Sequence, residues 1–339
     1  MTTRESTGAG EEQSRISAVR LLAGNPVTVV SGVVLAMVAV VAVTAQWIVP
    51  FGINDIDVPN ALRPPSGEHW LGTDELGRDV LSRVLVGVQA SMRVAVVSVA
   101  FAVAVGVTIG VVAGYRGGWL DAVVMRIVDV MFAFPVLLLA LAVVAILGPG
   151  ITTTILAIGI VYTPIFARVA RAATLSVRVE PFVQVSRTMG TGHLYMLVRH
   201  ILPNITGPLI VQTSLSLAFA ILSEAALSFL GLGIQPPQPS LGRMIFDSQG
   251  FVTLAWWMAV FPGAAIVVAV LAFNLFGDGL RDVLDPKQRT MIEARRRAGA
   301  DIEARRRAGA DIEARRRAGA DIEARRRAGA DIGHRRRSG

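Results

Sequence analysis

The segment Val130-Met-Phe-Ala-Phe-Pro-Val-Leu-Leu-Leu-Ala140-Leu-Ala-Val-Val-Ala-Ile-Leu-Gly-Pro-Gly150-Ile-Thr-Thr-Thr-Ile-Leu-Ala-Ile-Gly-Ile160-Val-Tyr-Thr-Pro-Ile-Phe-Ala167 runs for 38 residues without a charge. A bilayer core about 30 Å thick takes roughly 20 residues of helix, so this run is too long for one crossing and long enough for two. Gly148-Pro149-Gly150 stands where a tight turn divides it. The reading is two spans, about 123 to 147 and 151 to 170, joined by a short hairpin. Outward from this pair, Val27 to Val49 gives 23 uncharged residues for a first span and Val94 to Gly114 gives 21 for a second. A fifth is expected from about Ile205 to Leu230 and a sixth from about Leu254 to Phe276. Backbone groups in lipid must be satisfied within each segment, and the alternation of barrel strands is missing. The expected fold class is therefore an all-α integral membrane protein with six transmembrane helices.

Composition agrees. Of 339 residues, 53% are hydrophobic and 17% charged, with a mean hydropathy of +0.56. The absence of cysteine excludes disulfide scaffolds, thiolate zinc sites and cysteine nucleophiles. The sole lysine, Lys287, follows Leu-Asp-Pro, so no phosphate loop ending in Gly-Lys-Ser/Thr exists and the chain does not hydrolyse ATP by that route. All four histidines (His69, His193, His200, His334) fall outside the spans, leaving no Ser/His pair and no histidine metal cluster in the membrane. Neither catalytic nor metal-ligating residues are expected.

The net charge of +8 is a property of the tail. From Ile292 onward there are 15 Arg against 4 Glu and 4 Asp, which leaves one surplus positive charge for the rest, so nucleic acid is not an expected partner. Ile-Glu-Ala-Arg-Arg-Arg-Ala-Gly-Ala-Asp repeats four times over residues 292–331. Ten residues turn an α-helix by about 1000°, so no apolar stripe is sustained and a solvated, disordered extension is expected. Attraction of its Arg triplets to anionic lipid headgroups or RNA is the sharper alternative.

Arg and Lys near short loops are retained on the cytoplasmic side. With the N-terminus inside, 13 basic residues outside the repeats fall on that side and 5 (Arg63, Arg78, Arg83, Arg93, Arg243) on the other, so both termini are expected in the cytoplasm. Val43-Thr44-Ala45 faintly resembles a signal-peptidase site, but the length of the first span and the further spans favour an uncleaved anchor. The expected organisation is a cytoplasmic segment 1–26, a first span 27–49, an extracytoplasmic loop 50–90 with an interfacial helix over Asp79–Gln89, a five-helix unit 91–280, and a cytoplasmic tail 281–339.

The inner loop from about Arg171 to Pro203 exceeds thirty residues, while the other inner loop is very short. Two short helices bent at Gly190 and ended at Pro203 fit its breakers. Phe182, Val185 and Met189 share one face, and Leu194, Leu197 and Val198 another. Such helices could enter a groove on a cytosolic partner, or lie on lipid; pattern alone leaves both open.

At these residues the chain resembles the bacterial ATP-binding-cassette (ABC) importer permeases, whose cytoplasmic loop reads Glu-Ala-Ala, three residues, Gly, nine residues, Ile, one residue, Leu-Pro. Gly190 and Leu202-Pro203 keep that spacing, Gln184, Val185 and Ser186 stand at Glu-Ala-Ala, and His200 stands at the Ile. Leu71-Gly-Thr-Asp-Glu-Leu-Gly-Arg-Asp79, Gly114-Tyr-Arg-Gly-Gly-Trp119, His200-Ile-Leu-Pro-Asn204, Ser223-Glu-Ala-Ala-Leu-Ser-Phe-Leu-Gly-Leu-Gly233 and Pro239-Ser-Leu-Gly242 resemble the C-type subunit of the dipeptide, oligopeptide and nickel importers. The likeness covers about residues 20 to 286.

The resemblance implies a type I ABC importer permease in the bacterial inner membrane, paired with a second six-span permease. It implies two cytosolic ABC ATPase domains that bind ATP and Mg, an extracytoplasmic binding protein, and no cofactor on this chain. Peptide is the implied cargo, with nickel or another small solute as the alternative; from outside the family, an ion-coupled secondary carrier competes. Gln184, Val185, Ser186, Met189, Gly190, Leu194, Leu202 and Pro203 are the coupling-loop candidates. Glu224 and Asp129 are the candidates for the translocation path, since an acid within a span is costly, although Arg126 three residues away is expected to neutralise Asp129. Asp74, Arg78, Asp79 and Arg83 are the candidates for the extracytoplasmic mouth, the first three expected to pair with one another. The outer loop Gly231–Gly250 is either a partner surface or a rigid connector.

Overall fold

The computed structural model describes residues 26 to 284. The N-terminal segment 1–25, the end of the 281–339 tail from residue 285 and the Arg-rich repeats lie outside the described residues. Nine helices carry the described part: α1 Pro26–Ile48, α2 Val80–Arg116, α3 Gly118–Phe132, α4 Val136–Leu147, α5 Ile151–Val177, α6 Pro181–Thr188, α7 Thr206–Phe229, α8 Leu241–Asp247 and α9 Trp257–Leu284. A short helical run from His193 to Ile205 leads into α7 without interruption. Five of these segments are long and apolar enough to cross a membrane, and a sixth crossing exists if the bent pair α3 and α4 counts as one.

The core is built on α2 and α5. Gly106, Gly110 and Gly114 recur at four-residue spacing on α2, and a Cβ on them would stand 2.5 Å from the Thr163 carbonyl, 2.2 Å from that of Ala167 and 3.0 Å from that of Arg171. The two backbones thus touch along three turns. Small-residue seams of this kind bring membrane helices close enough for dispersion contacts to hold them where lipid supplies no hydrophobic force. Val107, Val111, Phe166 and Ala170 fill the flanks of the seam and are buried. α7 packs on α2, α5 and α9, whereas α1 packs mainly on α2 and α9 and keeps most of its side chains exposed.

Three expectations change. The third span is not one helix: α3 and α4 meet at 91° across Ala133-Phe134-Pro135. Pro135 has no N–H to continue the ladder and disfavours helical geometry at the residue before it. The interfacial helix expected over Asp79–Gln89 is the opening of α2, which runs unbroken from Val80 to Arg116 because nothing between Gln89 and Val94 stops it. The fourth span reaches Val177, so the loop between it and the next span begins near Arg178 rather than Arg171.

Candidate functional site

Beneath the helices, Pro181 opens α6 at its first turn, where its missing N–H costs nothing. α6 buries Val183 and exposes Phe182, Val185 and Met189, the last at 80%. Gly190 then takes φ +78 with nothing within 4 Å of a Cβ, so glycine serves the left-handed turn and not close packing. The returning run buries Met196, Ile201 and Ile205 and exposes Leu194, at 75%, with Tyr195 and Val198. Leu202 is partly exposed and Pro203 sits in the last turn before α7. Gln184 Nε2 donates to the Val179 carbonyl at 2.8 Å, and Ser186 Oγ lies 3.1 Å from Thr191 Oγ1 and 3.4 Å from His200 Nε2. Gln184, Val185 and Ser186 therefore brace or face out of the first arm, and His200 joins the two arms.

This loop is fastened to the helices above it. Arg178 donates to the Gly114 carbonyl at 2.8 Å, and the Tyr115 hydroxyl meets His193 Nδ1 at 2.9 Å. Arg171 forks onto both carboxylate oxygens of Asp121, one at 2.6 Å. Asp129 pairs with Arg168 of α5 at 2.6 Å, and Arg168 lies 4.0 Å over the Phe132 ring. The expected Arg126 partner is thereby corrected: α5 brings Arg168 across, and the i,i+3 neighbour is not used. Both Asp129 and Arg168 keep about half of their side chains exposed.

On the opposite side, Asp79 caps α2, accepting from Ser82 N at 2.7 Å and Ser82 Oγ at 2.8 Å while its other oxygen meets His69 Nδ1 at 2.9 Å. Asp74 accepts from Arg78 Nε at 2.6 Å and from two backbone N–H groups, and lies 3.5 Å from Arg83 Nε. Arg83 also donates to the Ile53 carbonyl at 3.0 Å. Arg78 reaches Glu75 at 2.8 Å. Burial, and then the neighbouring Asp74 charge, push the Glu75 carboxyl above its ordinary range, and its second oxygen is buried without a partner. The pairing expected among Asp74, Arg78 and Asp79 holds for the first two; Asp79 takes His69 instead. Asp74, Asp79 and Arg83 are all buried, so here they hold the loop between α1 and α2 to the start of α2.

Glu224 is fully buried between α7 and α2. Ser91 of α2 donates to one carboxylate oxygen at 2.5 Å and Ser228, one turn along α7, to the other at 2.7 Å. Ser228 Oγ in turn accepts from Ile234 N at 3.2 Å, and Gly233 packs so closely that a Cβ would strike that hydroxyl. The Ser-Glu-Ala-Ala-Leu-Ser-Phe-Leu-Gly-Leu-Gly stretch is thus one polar assembly joining two helices to the loop after α7.

Residues 106–290 match the family described as the binding-protein-dependent transport system inner membrane component, and residues 16–65 match the N-terminal transmembrane domain of oligopeptide transport permease C. The chain belongs to the binding-protein-dependent transport permeases. Among its relatives, the probable D,D-dipeptide transport system permease protein DdpC of Escherichia coli K12 is 43% identical over 82% of this chain and 94% of that protein. The dipeptide transport system permease protein DppC of Alkalihalophilus pseudofirmus is 42% identical over 80% and 90%. The glutathione transport system permease protein GsiD of Escherichia coli O6:K15:H31 is 47% identical over 74% and 83%. The fold resembles the inward-facing MetNI methionine ABC transporter, with a TM-score of 0.51 at 20% identity over 60% of this chain and 97% of that one. The permease is accordingly a non-catalytic inner-membrane subunit of an ABC importer, a system that implies ATPase and binding-protein partners.

Sequence reading missed several of the contacts that tie the permease's helices together. The Gly106, Gly110, Gly114 spacing was readable as a helix seam, and Glu224 with Ser228 as an i,i+4 pair. Ser91, 133 positions from Glu224, carried no signal, nor did Tyr115 toward His193.

Proposed function

We propose that this permease forms half of a peptide-conducting pore, with six crossings, both termini in the cytoplasm, and a second, different permease as its partner. Peptides reach it from an extracytoplasmic binding protein, and two ATPase domains grip the loop from Arg178 to Ile205. The observation that carries the coupling reading is the outward apolar set Phe182, Val185, Met189, Leu194 and Val198 on two arms bent at Gly190. Exposed apolar side chains on a loop held by polar bonds to α2 are suited to filling a groove on a partner and moving the helices with it. Peptide cargo is supported by the relatives, whose names specify D,D-dipeptide, dipeptide and glutathione transport. Glu224 and Asp129 would serve the path, and Asp74, Arg78, Asp79 and Arg83 the mouth, in a conformational state that releases the pairings described above.

Because the chain has no native cysteine, a single cysteine at Met189 or Leu194 gives clean crosslinking. In vesicles active in peptide uptake, either position should capture an ATPase subunit; capture of phospholipid alone would reject the docking assignment. Gly190→Asp should insert normally yet abolish uptake and ATPase association. Uptake that follows an imposed ion gradient without ATP would instead place the chain among secondary carriers.

A further inference from the structure

Between α1 and the outer half of α2 lies an open groove of about 580 Å³. Val43 and Val97 represent its apolar walls, and its polar lining is confined to Gln46, Gln89, Arg93 and Gln238. Gln89 Nε2 donates to the Ala42 carbonyl at 2.8 Å and seats α1 on α2 at this level. Arg93 is exposed and, among the described residues, has no carboxylate or other hydrogen-bond partner. A guanidinium without a counter-anion at the edge of a membrane span is a functional signal, because the charge is expensive there unless an anion meets it.

Two features fix the level. Arg93 immediately precedes the uncharged run Val94–Gly114, and Trp47, next to Gln46, is 79% exposed at the outer end of α1. Exposed tryptophan marks the interface between hydrocarbon and headgroups. The polar end of the groove therefore sits at the depth of the outer-leaflet phosphates, and its apolar end runs toward the acyl chains.

We infer that this groove is a binding site for a membrane phospholipid. Arg93 donates to the phosphodiester oxygens, for which its planar fork is well matched. The carboxamides of Gln46 and Gln238 donate to the remaining phosphate or glycerol-ester oxygens, and one acyl chain lies along Val43 and Val97. No carboxylate lines the groove to receive the ammonium of a zwitterionic headgroup, so an anionic lipid such as phosphatidylglycerol is preferred. A peptide carboxylate offers Arg93 similar chemistry, but it has no use for a long apolar wall. The site stands independently of the cargo and of the coupling loop.

The test uses the whole transporter in nanodiscs of phosphatidylcholine with a minority of phosphatidylglycerol. Native mass spectrometry should find one more retained phosphatidylglycerol on wild type than on Arg93→Gln, with Arg93→Lys intermediate. Val97→Trp, which blocks the wall and leaves Arg93 in place, should expel the same lipid, and a photoprobe on Val97→Cys should capture lipid. Equal retention in wild type, Arg93→Gln and Val97→Trp would overturn the inference. So would a Val97 probe that captured only the second permease. Unchanged lipid retention with a tenfold rise in peptide KM for Arg93→Gln would hand the guanidinium to the substrate's carboxylate and overturn it as well.

Discussion

Gly110→Ala is the sharpest perturbation of the α2–α5 seam. The added methyl would lie 2.2 Å from the Ala167 carbonyl oxygen and 2.9 Å from Ala170 Cβ. An ordinary contact is near 3.4 Å, so α5 must retreat by about 1 Å, which costs typically 1–3 kcal/mol in strained packing. Relief of glycine's backbone entropy returns at most about 1 kcal/mol in a helix interior. The net expectation is a loss of about 1–2 kcal/mol, or a roughly tenfold faster thermal inactivation if the loss falls on the unfolding barrier. The same substitution at Gly207, where a Cβ meets nothing within 4 Å, should be neutral or stabilising. Gly106 and Gly114, with closest approaches of 2.5 and 3.0 Å, should follow Gly110 in that order of decreasing damage. The assay is the half-life of native fluorescence of the purified transporter in detergent at fixed temperature. A Gly110→Ala protein as durable as Gly207→Ala, or the reverse ranking along the seam, would refute backbone contact as what holds α2 to α5.

Three further outcomes follow from the polar sites. Glu224→Ala leaves the Ser91 and Ser228 hydroxyls without their acceptor beside a cavity and should cost about 2–4 kcal/mol by thermal melting; Glu224→Gln, which still accepts from Ser228 and can donate to Ser91, should lose under about 1 kcal/mol. The raised pKa of Glu75 means that its folded form holds its proton more tightly than the unfolded chain, so the stability it contributes is complete below about 4.5 and declines as pH rises through the folded value; a melting series against pH should show Glu75→Gln gaining on wild type from acid toward neutrality, and parallel curves would contradict the burial argument. Arg168→Gln, which removes the partner of Asp129, should reduce stability slightly, by about 0.2–1 kcal/mol for so exposed a pair, while Arg126→Gln should change nothing measurable by the same assay.

Five of the six expected apolar segments stand as helices long enough to cross, and they were legible because a bilayer demands about 20 residues per crossing and tolerates few charges within them; the expected third is the bent pair α3 and α4. Their interruptions were less so. Pro135, Pro164 and Pro262 look alike in the sequence, yet only Pro135 separates two helices, while Pro164 and Pro262 stand inside α5 and α9. The difference is tertiary: Pro164 is buried within α5, which packs on both α2 and α7 and is held as a helix through the missing bond, whereas α4 keeps much of its surface free. The bend in the loop after α5 could be read because Gly190 and Pro203 punctuate it. What Asp129 pairs with could not, since the choice between Arg126 and Arg168 depends on where α5 crosses α3.

The geometry of α2 explains why the proposed coupling loop and the outer polar cluster belong to one device. At about 1.5 Å per residue, its 37 residues extend about 55 Å, well beyond the roughly 30 Å of hydrocarbon. Asp79 caps one end and bonds to His69 and Ser82; Gly114 and Tyr115 at the other end bond to Arg178 and His193 of the loop. Between them Ser91 holds Glu224 of α7, and the glycine seam holds α5. A packed helix without a break transmits displacement as a rigid strut, since bending it would cost hydrogen bonds that lipid cannot replace. On the proposed coupling, a shift of the loop would be delivered along α2 together with α5 and α7, while α4, packed mainly on α5 and separated from α3 by Pro135, would be free to follow a different course. In the proposed pore, the moving wall would be the bundle fastened to α2, with the Gly114 and Tyr115 bonds as the points where loop motion enters it. Tyr115→Phe keeps the ring and removes the hydroxyl that meets His193, so it should leave ATPase association intact while lowering peptide uptake per ATP hydrolysed. An unchanged uptake-to-hydrolysis ratio in reconstituted vesicles would show that the strut is driven from elsewhere.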